Sequence, residues 1–180
     1  MMNHYLLTFT ICVLALAAAS DLQVRRIPNV LTYSSMVVGL AYHSGMYGIE
    51  GFVFSAGGLA LGAALLIGPY VFGIMGAGDT KLMAAMGSII GPSGVLYAFL
   101  FTAIIGAIYA VIVLIGNRRF IIPVLGNTMR MLATFGITRQ FGDLKDIETR
   151  DGPRLCYGVA IAVGTLCSIF RDTLGFGLGL

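Results

Sequence analysis

Residues 51–81 read GFVFSAGGLALGAALLIGPYVFGIMGAGDTK, and this stretch decides the fold. From Gly51 to Gly78 there is no Asp, Glu, Lys or Arg. Such a run suits lipid rather than water, because ~20 apolar helical residues cross a ~30 Å hydrocarbon core. The run closes on Gly76-Ala77-Gly78-Asp79, Lys81 follows, and a second charge-free run extends from Leu82 to Asn117. An acid set between two such runs is costly to keep, so Asp79 is a candidate functional residue. Asp21, which ends the first apolar run, is placed in the same way.

Composition extends this reading to the whole chain. Hydrophobic residues make up 58% and charged residues 11%, with a mean hydropathy of +0.92, far from a soluble domain. The runs are continuous and rich in Leu, Ala, Gly and Ile, so they predict helices rather than the alternating strands of a barrel. Residues 5–20, 28–49 and 51–73 are each expected to cross. Residues 82–116 contain Gly91-Pro92-Ser93-Gly94, a turn signal that makes them a hairpin with a short first arm. Residues 155–170 give the last crossing. The expectation is an all-α membrane bundle of about six transmembrane helices, with a short fourth helix and a cytoplasmic loop before the last. Residues 1–180 form one polytopic domain in this reading, with 117–153 as its cytoplasmic, interfacial loop. Ala17-Ala18-Ala19-Ser20 resembles a signal-peptide cleavage site, but the basic pair Arg25-Arg26 follows the apolar run, which favours a retained helix.

Basic residues orient the scheme. Ten of the eleven Lys and Arg fall in the first, third and fifth loops, which are therefore cytoplasmic. Asp21 and Asp79 then reach the same membrane boundary from different helices. Two carboxylates brought together can share a proton, one acting as base on water and the other polarising a carbonyl as an acid. Each also has a plainer explanation: Asp79 can cap a helix, and Asp21 with Arg25 has the spacing of a surface ion pair. Helix polarity makes Asp79, ahead of a helix start, the expected base, and Asp21, near a helix end, the expected acid. No metal is expected: His4 and His43 belong to the opposite side, and no His or Cys cluster accompanies the acids.

The two segments Asp21-Leu-Gln-Val-Arg25-Arg26-Ile27-Pro28-Asn29 and Gly76-Ala-Gly78-Asp79-Thr-Lys81-Leu82 resemble the paired signatures of type IV prepilin peptidases, the GxGD membrane aspartic peptidases. The segment Arg154-Leu155-Cys156-Tyr157-Gly158 resembles a later family pattern, with Cys156 where Pro is usual. The resemblance implies a protease that removes the basic leader from type IV prepilins at the cytoplasmic face of the bacterial inner membrane. It makes Asp21 and Asp79 the catalytic acids and requires no cofactor. Long members of that family methylate the new amino terminus through an added segment with paired cysteines. Cys12, Cys156 and Cys167 form no CxxC pair, so the chain resembles the short form of Flp or tight-adherence pilus systems, which implies cleavage without methylation.

Supporting roles fall to Gly76 and Gly78, whose backbone freedom lets a substrate strand approach. Lys81 is expected to hold the Asp79 carboxylate, grip a substrate carbonyl or set topology, and Arg25 to set orientation. In the loop at 117–153, Arg118, Arg119 and Arg130 among apolar residues suit anionic lipid, whereas Asp143, Asp146, Glu148 and Asp151 suit either a plain solvated loop, the commoner case, or attraction of a basic leader. Expected partners are thus prepilins with a basic leader, membrane lipid and the pilus assembly machinery, and no nucleic acid. Two alternatives remain open at this point. One is a small transporter, which would place its acids nearer the midplane. The other is a noncatalytic pilus-assembly subunit that uses boundary acids for partner helices.

Overall fold

The computed structural model describes residues 3–71, 75–116 and 157–171. Among them are four helical elements and no strand: α1 (His4–Val24), α2 (Asn29–Val71), α3 (Ala77–Gly116) and α4 (Tyr157–Phe170). The first two, and α3 over Ala77–Val113, are long and apolar enough to cross a membrane, and α4 is a shorter apolar helix. A helix satisfies its own backbone hydrogen bonds, which is what lipid demands.

The count of about six separate helices is corrected to these four. Two elements are interrupted from within: α2 at Gly48 (φ 61°, ψ −136°) and α3 at Gly91 (φ 75°, ψ −179°). Glycine takes a positive φ freely, so one residue does what the sequence reading assigned to a loop. Pro92 completes the second break, since it has no N–H to continue the preceding helix.

How far α2 turns follows from its contacts. A Cβ on Gly39 would lie 2.5 Å from Ser88 Oγ, and Ser55 Oγ donates to the Ser88 carbonyl at 2.6 Å. In a straight helix, positions 39 and 55 would be roughly 24 Å apart at ~1.5 Å per residue. The element therefore folds back, and its arms, 29–47 and 49–71, both meet the first arm of α3.

That arm, 77–90, is the centre of the bundle: every residue from Leu82 to Ile89 is buried. Its one polar residue between 82 and 89, Ser88, is satisfied within the helix, its Oγ donating to the Ala85 carbonyl at 2.7 Å. Its expected start at Leu82 is corrected to Ala77. Small residues let the backbones touch. Gly58 and Gly87 oppose one another so closely that a Cβ on either would run into the other's carbonyl oxygen. On Gly62 a Cβ would lie 2.6 Å from the Met83 carbonyl oxygen. Helix α4 packs on α1, and Ser168 Oγ donates to the Gly94 carbonyl at 2.7 Å.

These contacts separate two ends. Beside the Gly48 and Gly91 turns, His43 Nε2–H donates to the Ile89 carbonyl at 2.9 Å, and the Phe54 ring fills the space next to Gly91. The opposite end holds the close of α1 and the starts of α2, α3 and α4. The chain divides into two compact units, Met1–Gly106 with Cys156–Leu180, and Ala107–Leu155. All the contacts above lie in the first; of the second, 107–116 is described and continues α3. The expected loop at 117–153, with its lipid-facing arginines and acidic part, lies outside the described residues, as does Cys156.

Candidate active site

Helix α1 runs past Ser20 to Val24, which sets Asp21 in its last turn with 7% of its surface exposed. Arg25 ends the helix in a left-handed conformation (φ 54°), its N–H donating to the Asp21 main-chain oxygen at 2.9 Å. It is the one non-glycine with positive φ among the described residues. That geometry costs an ordinary residue about 1–2 kcal/mol, so local strain sits one helical turn after Asp21. The Arg25 side chain is exposed, and its contribution to the site is the shape of its backbone. Ser20 Oγ donates to the Arg26 carbonyl at 2.7 Å, which pins the reversal into α2.

The glycine turn behaves differently from its expectation. Neither Gly76 nor Gly78 takes a left-handed backbone, and Gly78 is already helical. Size is what Gly78 contributes: a Cβ there would lie 3.3 Å from Cβ of buried Ile27, in the connection between α1 and α2. Asp79 sits in the first turn of α3, and Gly76 N–H donates to its Oδ2 at 3.2 Å. This is half of a capping box, so the plainer explanation for Asp79 holds alongside any chemical one.

Helix α4 completes the site. Gly158 N–H donates to Asp21 Oδ2 at 2.8 Å, and a Cβ on Gly158 would lie 2.9 Å from that oxygen. The neighbouring Tyr157 rests its hydroxyl on Gly106, where a Cβ would come within 2.7 Å of it, and lies within reach of the Asp79 charge. Asp21 and Asp79 are likewise within reach of each other's charge. The Gly158 donor supplies at the end of α1 what the helix dipole supplies at the start of α3. Helix polarity alone therefore no longer separates the two acids into base and acid.

Asp21, Asp79, Gly76, Gly78 and the Arg25 backbone thus share one end of the bundle. Of the roles left open for Lys81, a bond to Asp79 is not the one its side chain makes. Its Nζ donates to Asn29 Oδ1 at 3.0 Å and lies 5.1 Å from the Tyr33 ring centroid, so the ammonium is committed to α2. Asn29, Ile27, Tyr157 and Gly158 carry contacts that sequence reasoning did not assign. A signal for the last pair was present, since Tyr157-Gly158 opens the final apolar run at the boundary where both acids fall. Among the described residues no group of three or more His, Cys, Asp and Glu could hold a metal ion.

Residues 8–111, more than half of the chain and including both acids and the glycine turn, match the family described as type IV leader peptidases. The chain belongs to the type IV leader peptidase family. No curated protein and no solved structure matches it. Family and fold agree on a peptidase embedded in a membrane. Gly158 lies beyond the matched residues, so its bond to Asp21 ties the family segment of this leader peptidase to the helix that follows.

Proposed function

We propose that this leader peptidase is an aspartic endopeptidase that removes the basic leader from type IV, Flp-like prepilins at the cytoplasmic face of the bacterial inner membrane, without methylating the product. The observation that carries the reading is the pair itself: two acids from separate elements, at one end of the bundle, each within reach of the other's charge. In the reaction one carboxylate takes a proton from water as the water oxygen bonds to the scissile carbonyl carbon. The other carboxyl gives its proton to the carbonyl oxygen. The first carboxyl then gives its proton to the amide nitrogen while the second takes one from a hydroxyl of the tetrahedral intermediate as the C–N bond breaks, which releases leader and mature pilin and leaves the pair with one proton. Either acid can begin as the base, so the roles belong to the pair.

In this reading the end of the bundle that holds the two acids faces the cytoplasm. Arg25, Arg26 and Lys81 lie at the cytoplasmic end, and the loop at 117–153 meets lipid headgroups and the basic leader. Support comes from the positive-inside distribution and from the breaks at Gly48 and Gly91 lying together at the end remote from the acids.

The test is cleavage of a basic-leader prepilin in membranes containing the parent, Asp21→Asn or Asp79→Asn. Each variant is expected to lose activity by about 10³-fold or more, as when one member of a catalytic unit is removed. Full activity in either would overturn the two-acid mechanism. Transfer of a methyl group by the purified protein would overturn the short-form assignment.

A further inference from the structure

Lys81 belongs to the second motif, yet the two-acid chemistry makes no use of it. Its Nζ donates to Asn29 Oδ1 at 3.0 Å and sits over the Tyr33 ring. Asn29 and Tyr33 lie in the first turns of α2, directly after the connection that leads away from Asp21. Lys81 itself lies one half-turn beyond Asp79. The bond therefore joins the chain leaving one acid to the helix carrying the other. Two further contacts hold the same junction: Gly78 rests on Ile27, and Ser20 Oγ closes on the Arg26 carbonyl. The connection 25–28 is thus fixed to α1 on one side and to α3 on the other.

We propose that Lys81 is a positioning residue, a strut that fixes the separation of Asp21 and Asp79 by tying the start of α2 to the first turn of α3. Lysine suits the place. The junction is partly exposed, so an apolar tie would gain little, whereas an ammonium has three donors and can also rest on an aromatic face. A strut matters here because reacting groups tolerate little error: a displacement of about 1 Å can cost 10²-fold in rate. The inference rests on the two-aspartate reading above, and its test is separable from that reading. Loss of the strut removes neither acid and changes how far apart they are held, hence how strongly they couple.

The experiment measures kcat, KM and the pH–rate profile of prepilin cleavage by reconstituted parent, Lys81→Met, Asn29→Ala and the double variant. Asn29 is exposed, so its truncation is expected to leave the fold intact, which melting in detergent checks. Each single variant is expected to lose about tenfold in kcat with KM within about twofold, and the double variant to be no worse than the poorer single, because both break one bond. The acidic and basic limbs of the profile should also move together, since acids held farther apart couple less. Asn29→Asp, which keeps an acceptor for Lys81, should recover several-fold over Asn29→Ala. Loss in Lys81→Met with Asn29→Ala at parental activity would mean that the lysine acts on Asp79 or on substrate directly, and would overturn the proposal. Additive losses or an unchanged pH profile would do the same. Failure of the two-acid reading shows elsewhere, as activity surviving in Asp21→Asn.

Discussion

Replacing Gly158 by alanine tests whether the backbone of α4 positions Asp21. The added methyl would lie 2.9 Å from Asp21 Oδ2, 3.1 Å from its Cβ and 3.2 Å from its Cγ. All three fall short of ordinary contact, so turning the carboxylate alone gives no relief and the whole Asp21 side chain must move by several tenths of an ångström. The Gly158 N–H bond at 2.8 Å weakens or breaks with it. A hydrogen bond to a charged group contributes about 1.5–3 kcal/mol. At ~1.36 kcal/mol per factor of ten, that range corresponds to a loss of roughly ten- to 150-fold in kcat/KM. Stability should hold, because alanine in a helix is favoured over glycine by up to ~1 kcal/mol and offsets part of the clash. The assay is a time course of leader removal from a basic-leader prepilin in proteoliposomes, with thermal melting in detergent alongside. Activity within about threefold of the parent, at an unchanged melting temperature, would refute the reasoning, since that loss is below one lost charged hydrogen bond.

Two other substitutions probe the scaffold. Gly58→Ala should push the second arm of α2 off the first arm of α3, where the Gly87 carbonyl leaves no room, and overpacking of this kind costs about 1–3 kcal/mol or more. A lowered melting temperature is the readout, with Gly45→Ala, which faces open space, as the comparison. His43→Leu should remove the donor to the buried Ile89 carbonyl and cost about 1–3 kcal/mol in melting experiments. Cleavage per folded molecule should be unaffected, because His43 lies at the end remote from the acids.

Much of the site was legible because charge in lipid is conspicuous. Asp21 and Asp79 stood out through what surrounds them, and the basic residues gave them a common boundary. Both breaks were legible, from Glu50 between two apolar runs and from Gly91-Pro92-Ser93-Gly94; what was not legible is that one glycine makes each of them, with helix continuing on either side. The central place of the first α3 arm was hidden for a different reason. Hydropathy scores an apolar residue alike whether lipid or protein covers it, and the small residues around Gly87 signal close packing only once Gly58 is known to oppose them. The partner of Lys81 was not legible, because sequence proximity offers only Asp79, two positions away, and the fold alone brings Asn29 near. The role of Gly158 depends on a donor 137 positions from its acceptor, a relation no local pattern contains.

That separation gives the enzyme an order of completion during its own synthesis. Asp21 leaves the ribosome before the glycine turn, and the amide that bonds to Asp21 follows only when residue 158 has been made. A nascent chain stopped short of Tyr157 would carry both aspartates and the whole family segment without that amide. The surroundings of Asp21 are complete only once α4 has joined α1, so a copy halted before that point would hold its first acid without this contact.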